Sequence, residues 1–136
     1  MTAIETPRQP FLSDVKSLRD RARKSLEEGA VTDTFGGDPH RAVEILQSVL
    51  ATELVCWLRY TQHSIAGAGI NSQSVKDEFA EHAGEELEHA QWIAERIQQL
   101  GGTPDFKLET RTARSASQFA PGADLVDMIK ENLIAE

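Results

Sequence analysis

The residues best suited to chemistry lie in Glu81–His89, EHAGEELEH, whose centre is a Glu-x-x-His step, Glu86-Leu87-Glu88-His89, inside a strongly helical run. Positions three apart on a helix share a face, so Glu86 and His89 point the same way, with His82 back along that face. The stripe on that side reads Val75, Phe79, His82, Glu86, His89, Ile93, Ile97, Leu100, which puts an acid and an imidazole at positions expected to face a core. A carboxylate in a core needs a cation, a proton or a partner, because burying it ionised and unpaired is costly. An acid and an imidazole converging between helices have the form of a di-iron or di-manganese carboxylate site. Glu-x-x-His also occurs by chance on solvated helices, so the step needs a second acid to support it.

That acid is Glu53, on the preceding helix. It interrupts the stripe Leu46, Val49, Leu50, Glu53, Trp57, Tyr60, Ser64. Pairing with an arginine such as Arg96 is the alternative to metal binding. Asp38-Pro39 marks the helix start, an N-cap residue followed by proline at the first position, and GAGINS ends the helix after Ala66. The next helix is expected from Val75 to about Leu100, capped by Ser72 or Ser74 and ended by Gly101-Gly102 with Pro104 beyond. The short link makes the two helices antiparallel neighbours, which brings Glu53 toward Glu86 and His89.

The rest of the chain frames this hairpin. Met1 to about Pro10 reads as a disordered arm, and Ser13 is expected to cap a short outer helix that runs to Glu28 and stops at Gly29. Gly29 to Gly37 reads as a loop. Residues 1–37 are therefore read as an arm and outer helix, and residues 38–136 as the main domain. Thr103 to Gly122 shows no convincing period and suits a crossover along a bundle. A third helix, parallel to the second, starts near Asp124 with Leu125, Ile129 and Asn132/Leu133 on one stripe, and Glu136 is the next position on it.

With 136 residues the chain is long enough for one domain with a modest core. A net charge of −8 argues against a nucleic-acid partner and suits a protein that gathers cations. A single cysteine, Cys56, allows no internal disulfide, so a reducing cytoplasm is the simplest compartment. No export signal or membrane segment is apparent.

Three stretches in combination resemble a known family. Glu53–Tyr60 (ELVCWLRY), Glu86-Leu87-Glu88-His89 and Glu95–Pro104 (ERIQQLGGTP) are similar to the first half of a bacterioferritin or a related ferritin-like protein, over about Val43 to Glu136. The resemblance implies an all-α, ferritin-like four-helix bundle with one long crossover. It also implies oxidation of ferrous iron by oxygen or peroxide at a di-iron centre, and storage or detoxification of iron in a homo-oligomer, from dimer to shell. By position, Glu53 is then a terminal ligand to one iron, Glu86 bridges both, His89 is the imidazole ligand of the first, and Glu136 is a terminal ligand of the second. Tyr60 matches a tyrosine beside the centre, an electron donor in this reading and otherwise a core residue. His63 and His82 fall outside the metal set, and Cys56 reads as a small core residue.

There are two departures. The haem-binding methionine of bacterioferritins follows the bridging glutamate, and here that position is Leu87, so no haem is expected there. The family's fourth helix, with a second Glu-x-x-His, is absent from this sequence. Three readings are open: a shortened version of a longer protein, which the proper start of the third helix favours; two chains completing one site, as in encapsulin-type ferritin-like proteins; or a metal-free fold. The rival functions are a Dps-like peroxide-consuming stress protein, a di-iron or di-manganese peroxidase or oxygenase without storage, and a helical interaction module with Glu53 and Glu86 tied to arginines.

Overall fold

A computed structural model describes residues 14–29, 31 and 35–136, and its regular elements are five helices. The expected arm at Met1–Pro10 and the Ser13 cap lie outside the described residues. The chain falls into two compact units that divide between Phe35 and Gly36. Within the first, α1 spans Val15–Glu28. The cap of α1 is Asp14, whose carboxylate accepts the Ser17 N–H at 2.9 Å. Gly29, at φ 73°, ends it in the left-handed region that favours glycine.

The second unit is built on a hairpin of α2 (Pro39–Ala66) and α3 (Ser72–Gln99). Asp38 caps α2, accepting from the His40 and Arg41 N–H groups at 2.9 and 3.2 Å, and Pro39 occupies the first turn, where its missing N–H costs nothing. Helix α3 begins earlier than the Val75 expected, and neither serine caps it: the Ser72 hydroxyl instead donates to the Gly69 carbonyl at 2.8 Å. At the far end Gly101 takes φ 82° and the Gly102 N–H returns to the Ile97 carbonyl at 2.9 Å. Gly102 has a packing reason too, since a Cβ there would stand 2.8 Å from Val43 Cγ1.

Two apolar clusters fill the hairpin. One joins Leu50, Leu54, Ala90 and Ile97, and the other joins Cys56, Tyr60, Phe79, Ala83 and Met128. On α3 the boundary between them carries an acid, Glu86, between Ala83 and Ala90; on α2 Glu53 stands close to it, between Leu50 and Leu54 of the first cluster.

The crossover climbs α2. Gln47 brackets its start, donating to the Thr103 carbonyl at 2.7 Å and accepting the Asp105 N–H at 2.9 Å. Thr52 accepts the Ala116 N–H, Arg59 binds Ser117 and Gln118, and His63 meets Ala120. It is not structureless throughout, because Leu108–Arg114 forms α4, packed on α2. Seven residues make only two turns, too few to print a period on the sequence.

Helix α5 (Leu125–Ala135) then turns back, capped by Asp124 on the Asp127 N–H. Leu125 approaches Gly67, Asn132 meets His63 and Arg59, and Glu136 meets Tyr60. The sequence order is reversed between the helices, so α5 is antiparallel to α2 and parallel to α3, the direction expected of a crossover. The face it buries differs from the expected one. Met128 and Asn132 are buried, whereas Ile129 is 42% exposed and Leu133 74% exposed. Polar Asn132 takes the inward place because buried donors and acceptors on α2 complete its hydrogen bonds. Among the described residues no helix is long and apolar enough to cross a membrane.

Candidate metal centre

Glu53 on α2 and Glu86 and His89 on α3 converge, each offering a ligand atom within 4.8 Å of the others. His89 Nδ1 lies 3.4 Å from Glu53 Oε2 and 3.7 Å from Glu86 Oε2. The positions follow from helix geometry, since Glu86 and His89 stand one turn apart on α3 and the hairpin sets Glu53 opposite them. Both acids are largely covered. His89 is not a core residue as the stripe suggested: its side chain is 47% exposed, because it lies at the open edge of the α2–α3 seam.

Glu53 Oε2 is buried and has no hydrogen-bond partner among the described residues. Arg96 does not neutralise it, as its guanidinium donates to Gln99 Oε1 at 3.0 Å. Burial pushes the Glu86 carboxyl up to about 8; the adjacent Glu53 and then Glu136 push the same way, and Arg59 opposes them. A second negative charge is therefore unfavourable in this space unless a cation enters it.

Glu136 is not part of the compact trio. Its Oε1 accepts the Tyr60 hydroxyl at 2.6 Å, one step from the trio, and its charge reaches Glu86. Tyr60 is buried, with its ring stacked on His82 at 5.1 Å and the Arg59 guanidinium carbon 5.6 Å from its centroid. Burial first, and then the bond to Glu136, hold its phenol well above the ordinary range. Beside it an open cavity of about 230 Å³ is lined by Phe79, His82, Ile129, Leu133 and Glu136.

His82 lies outside the trio, flanked by Glu78 at 3.6 Å and Glu85 at 3.4 Å. His63 is fully buried away from the trio. Its Nε2 is 2.8 Å from the Ala120 carbonyl, which can only accept, so Nε2 carries the proton and Nδ1 accepts from Asn132 at 2.9 Å. Burial lowers its proton affinity, in keeping with a neutral ring. Cys56 is a buried core residue whose sulfur receives Arg59 Nη2 at 3.5 Å. Leu87 is on the exposed side of α3.

Sequence reasoning gave Arg59 no role, and it placed Asn132 only as a stripe position of the third helix. Arg59 is 1% exposed, and its place inside the apolar run VCWLRY was the available signal.

Residues 43–136 match the ferritin-like domain family. Solved structures with this fold include the dodecameric thioferritin, a bacterioferritin-related protein of Bacteroides fragilis, at 24% identity and TM-score 0.70, covering 85% of this chain and 66% of that one. Dps from Thermosynechococcus elongatus follows at 20% identity and TM-score 0.67, covering 71% and 62%. A ferritin-like, diiron-carboxylate protein of Bacillus anthracis is 25% identical at TM-score 0.62, covering 74% and 67%. The chain thus spans about two thirds of the length of these structures. Comparison with curated proteins finds no match.

Proposed function

Since this chain belongs to the ferritin-like family, we propose that Glu53, Glu86 and His89 bind ferrous iron and that the protein oxidises it, for storage or detoxification in a homo-oligomer. The observation that carries this reading is Glu53 Oε2, a buried carboxylate oxygen with no hydrogen-bond partner, beside two further ligand atoms. Two carboxylates and one imidazole form an oxygen-rich donor set, which suits iron or manganese and favours the ferric over the ferrous state. Glu86 is assigned the bridging role, Glu53 and His89 the first ion, and Glu136 the second. The Tyr60 hydroxyl engages Oε1 of Glu136 and leaves Oε2 for an ion.

The electrons balance simply. Two ferrous ions each lose one electron. Oxygen takes both with two protons to give hydrogen peroxide, or peroxide takes both with two protons to give two waters. Tyr60, with its proton aimed at Glu136, is assigned the role of a one-electron donor when one ferrous ion is bound: that ion and Tyr60 then supply one electron each, and the phenol gives up its proton.

A site shared between two chains is the second reading, and the exposure of His89 favours it. An anaerobic ferrous titration separates the two: about two equivalents per chain point to a complete site, and about one to a shared one. Oxygen-dependent ferrous oxidation that survives Glu86→Ala defeats both.

A further inference from the structure

The hydrogen bonds around Asn132 run in one direction. Arg59 is buried, and its hydrogen-bond partners are all neutral: Asn132 Oδ1 at 2.8 Å, the Ser117 hydroxyl at 2.7 Å, the Gln118 carbonyl at 3.0 Å and the Cys56 sulfur at 3.5 Å. A guanidinium only donates, so Asn132 must turn its oxygen toward Arg59. Its amide nitrogen then faces His63 Nδ1 at 2.9 Å and the Met128 carbonyl at 3.0 Å. His63 donates its own Nε2–H to the Ala120 carbonyl. Each donor and acceptor of the Asn132 amide is used, so neither a flipped amide nor the other histidine tautomer fits. A buried network closed in this way has one geometry.

Its location gives that geometry a use. Past Asn132 the apolar residues of α5 do not anchor the helix, since Leu133 is 74% and Ile134 77% exposed. Glu136 lies one turn beyond, its N–H bonded to the Asn132 carbonyl at 3.2 Å. The last polar tie before Glu136 is therefore the Asn132 side chain. We infer that Asn132, oriented by Arg59 and His63, is a positioning residue that sets where Glu136 stands beside Tyr60 and the acidic pair. The link to metal rests on the function proposed above, whereas the placement of Glu136 does not.

The chain has a single tyrosine, so the Raman Fermi doublet of the whole protein reports whether the Tyr60 hydroxyl donates a hydrogen bond. In the metal-free protein, Asn132→Ala should shift that signature to the one seen in Glu136→Ala. Ser117→Ala, which cuts a different Arg59 bond, should leave it unchanged at similar stability. If Asn132→Ala does not fold, Asn132→Ser carries the same comparison. An unchanged Tyr60 signature in the folded Asn132 variant, or an equal shift in Ser117→Ala, overturns the inference. With ferrous ion as probe, Asn132→Ala should weaken binding by about 10- to 100-fold, the usual effect of losing a residue that orients a ligand. If the unaltered protein binds no ferrous ion the proposed function falls, and the Tyr60 signature still decides the positioning role.

Discussion

Glu53 Oε2 and His89 Nδ1 face each other across the α2–α3 seam at 3.4 Å, the oxygen buried without a hydrogen-bond partner and the imidazole at the solvent edge. One partner is inward and the other outward, so an ion can enter past the histidine and meet the carboxylate behind it. In the proposed function this arrangement favours binding over metal-free stability.

Glu53→Gln tests that balance. Removing the charge from a buried oxygen that lacks a partner should leave the chelator-treated protein as stable, or more stable by about 1 kcal/mol. The same change should remove the stabilisation that ferrous or manganous ion confers. Thermal melts with and without chelator read both effects.

Metal addition should itself raise the melting temperature. For a ligand that binds the folded state alone, about 100 times its dissociation constant adds about 2.7 kcal/mol. The gain should vanish in Glu86→Ala and fall sharply in His89→Ala. A gain that persists in Glu86→Ala would place the ion elsewhere.

Glu86 makes stability depend on pH in the metal-free protein. Its carboxyl titrates near 8 in the folded chain against 4.5 in the unfolded one. An acid raised in this way stabilises the fold at low pH, and the contribution is lost as pH rises through 8. Chelated protein should therefore melt higher at pH 6 than at pH 9, with a smaller difference in Glu86→Gln. Ferrous affinity should run the other way, rising with pH as the ion displaces that proton.

Two glycines in the α3 region should respond oppositely to alanine. A Cβ at Gly84 meets nothing within 4 Å, so Gly84→Ala should stabilise α3 by about 0.5–1 kcal/mol. A Cβ at Gly102 would stand 2.8 Å from Val43 Cγ1 and 3.0 Å from Ile97 Cγ2, so Gly102→Ala should destabilise by about 1–3 kcal/mol. Chemical denaturation of the two variants gives the comparison.

The hairpin was legible because its signals are local: Asp38-Pro39 starts α2, Gly101-Gly102 ends α3, and two acids stand out against apolar stripes. What escaped depends on tertiary partners. The α5 stripe left Asn132 and Leu133 as alternatives, and it is the partners Arg59 and His63 that bring Asn132 inward and leave Leu133 exposed. Periodicity put His89 inside, but the width of the covered face depends on how closely α2 lies, which the stripe does not encode. The trio is the part of the site that the Glu-x-x-His step and Glu53 could announce. The engagement of Glu136 with Tyr60 could not be announced, because it depends on how α5 is tied.

The acidic pair beside the junction of the two apolar clusters also bears on cooperativity. Glu86 separates the clusters on α3 and the partly buried Trp57 packs against both, so the junction is narrower than either block and can open locally. In the chelated protein, amide exchange should be slow around Leu50 and Ile97 and around Tyr60 and Phe79, with a faster band near Glu53 and Glu86. A cation held by both helices removes that weak band, so the two blocks should then unfold as one unit in a sharper transition.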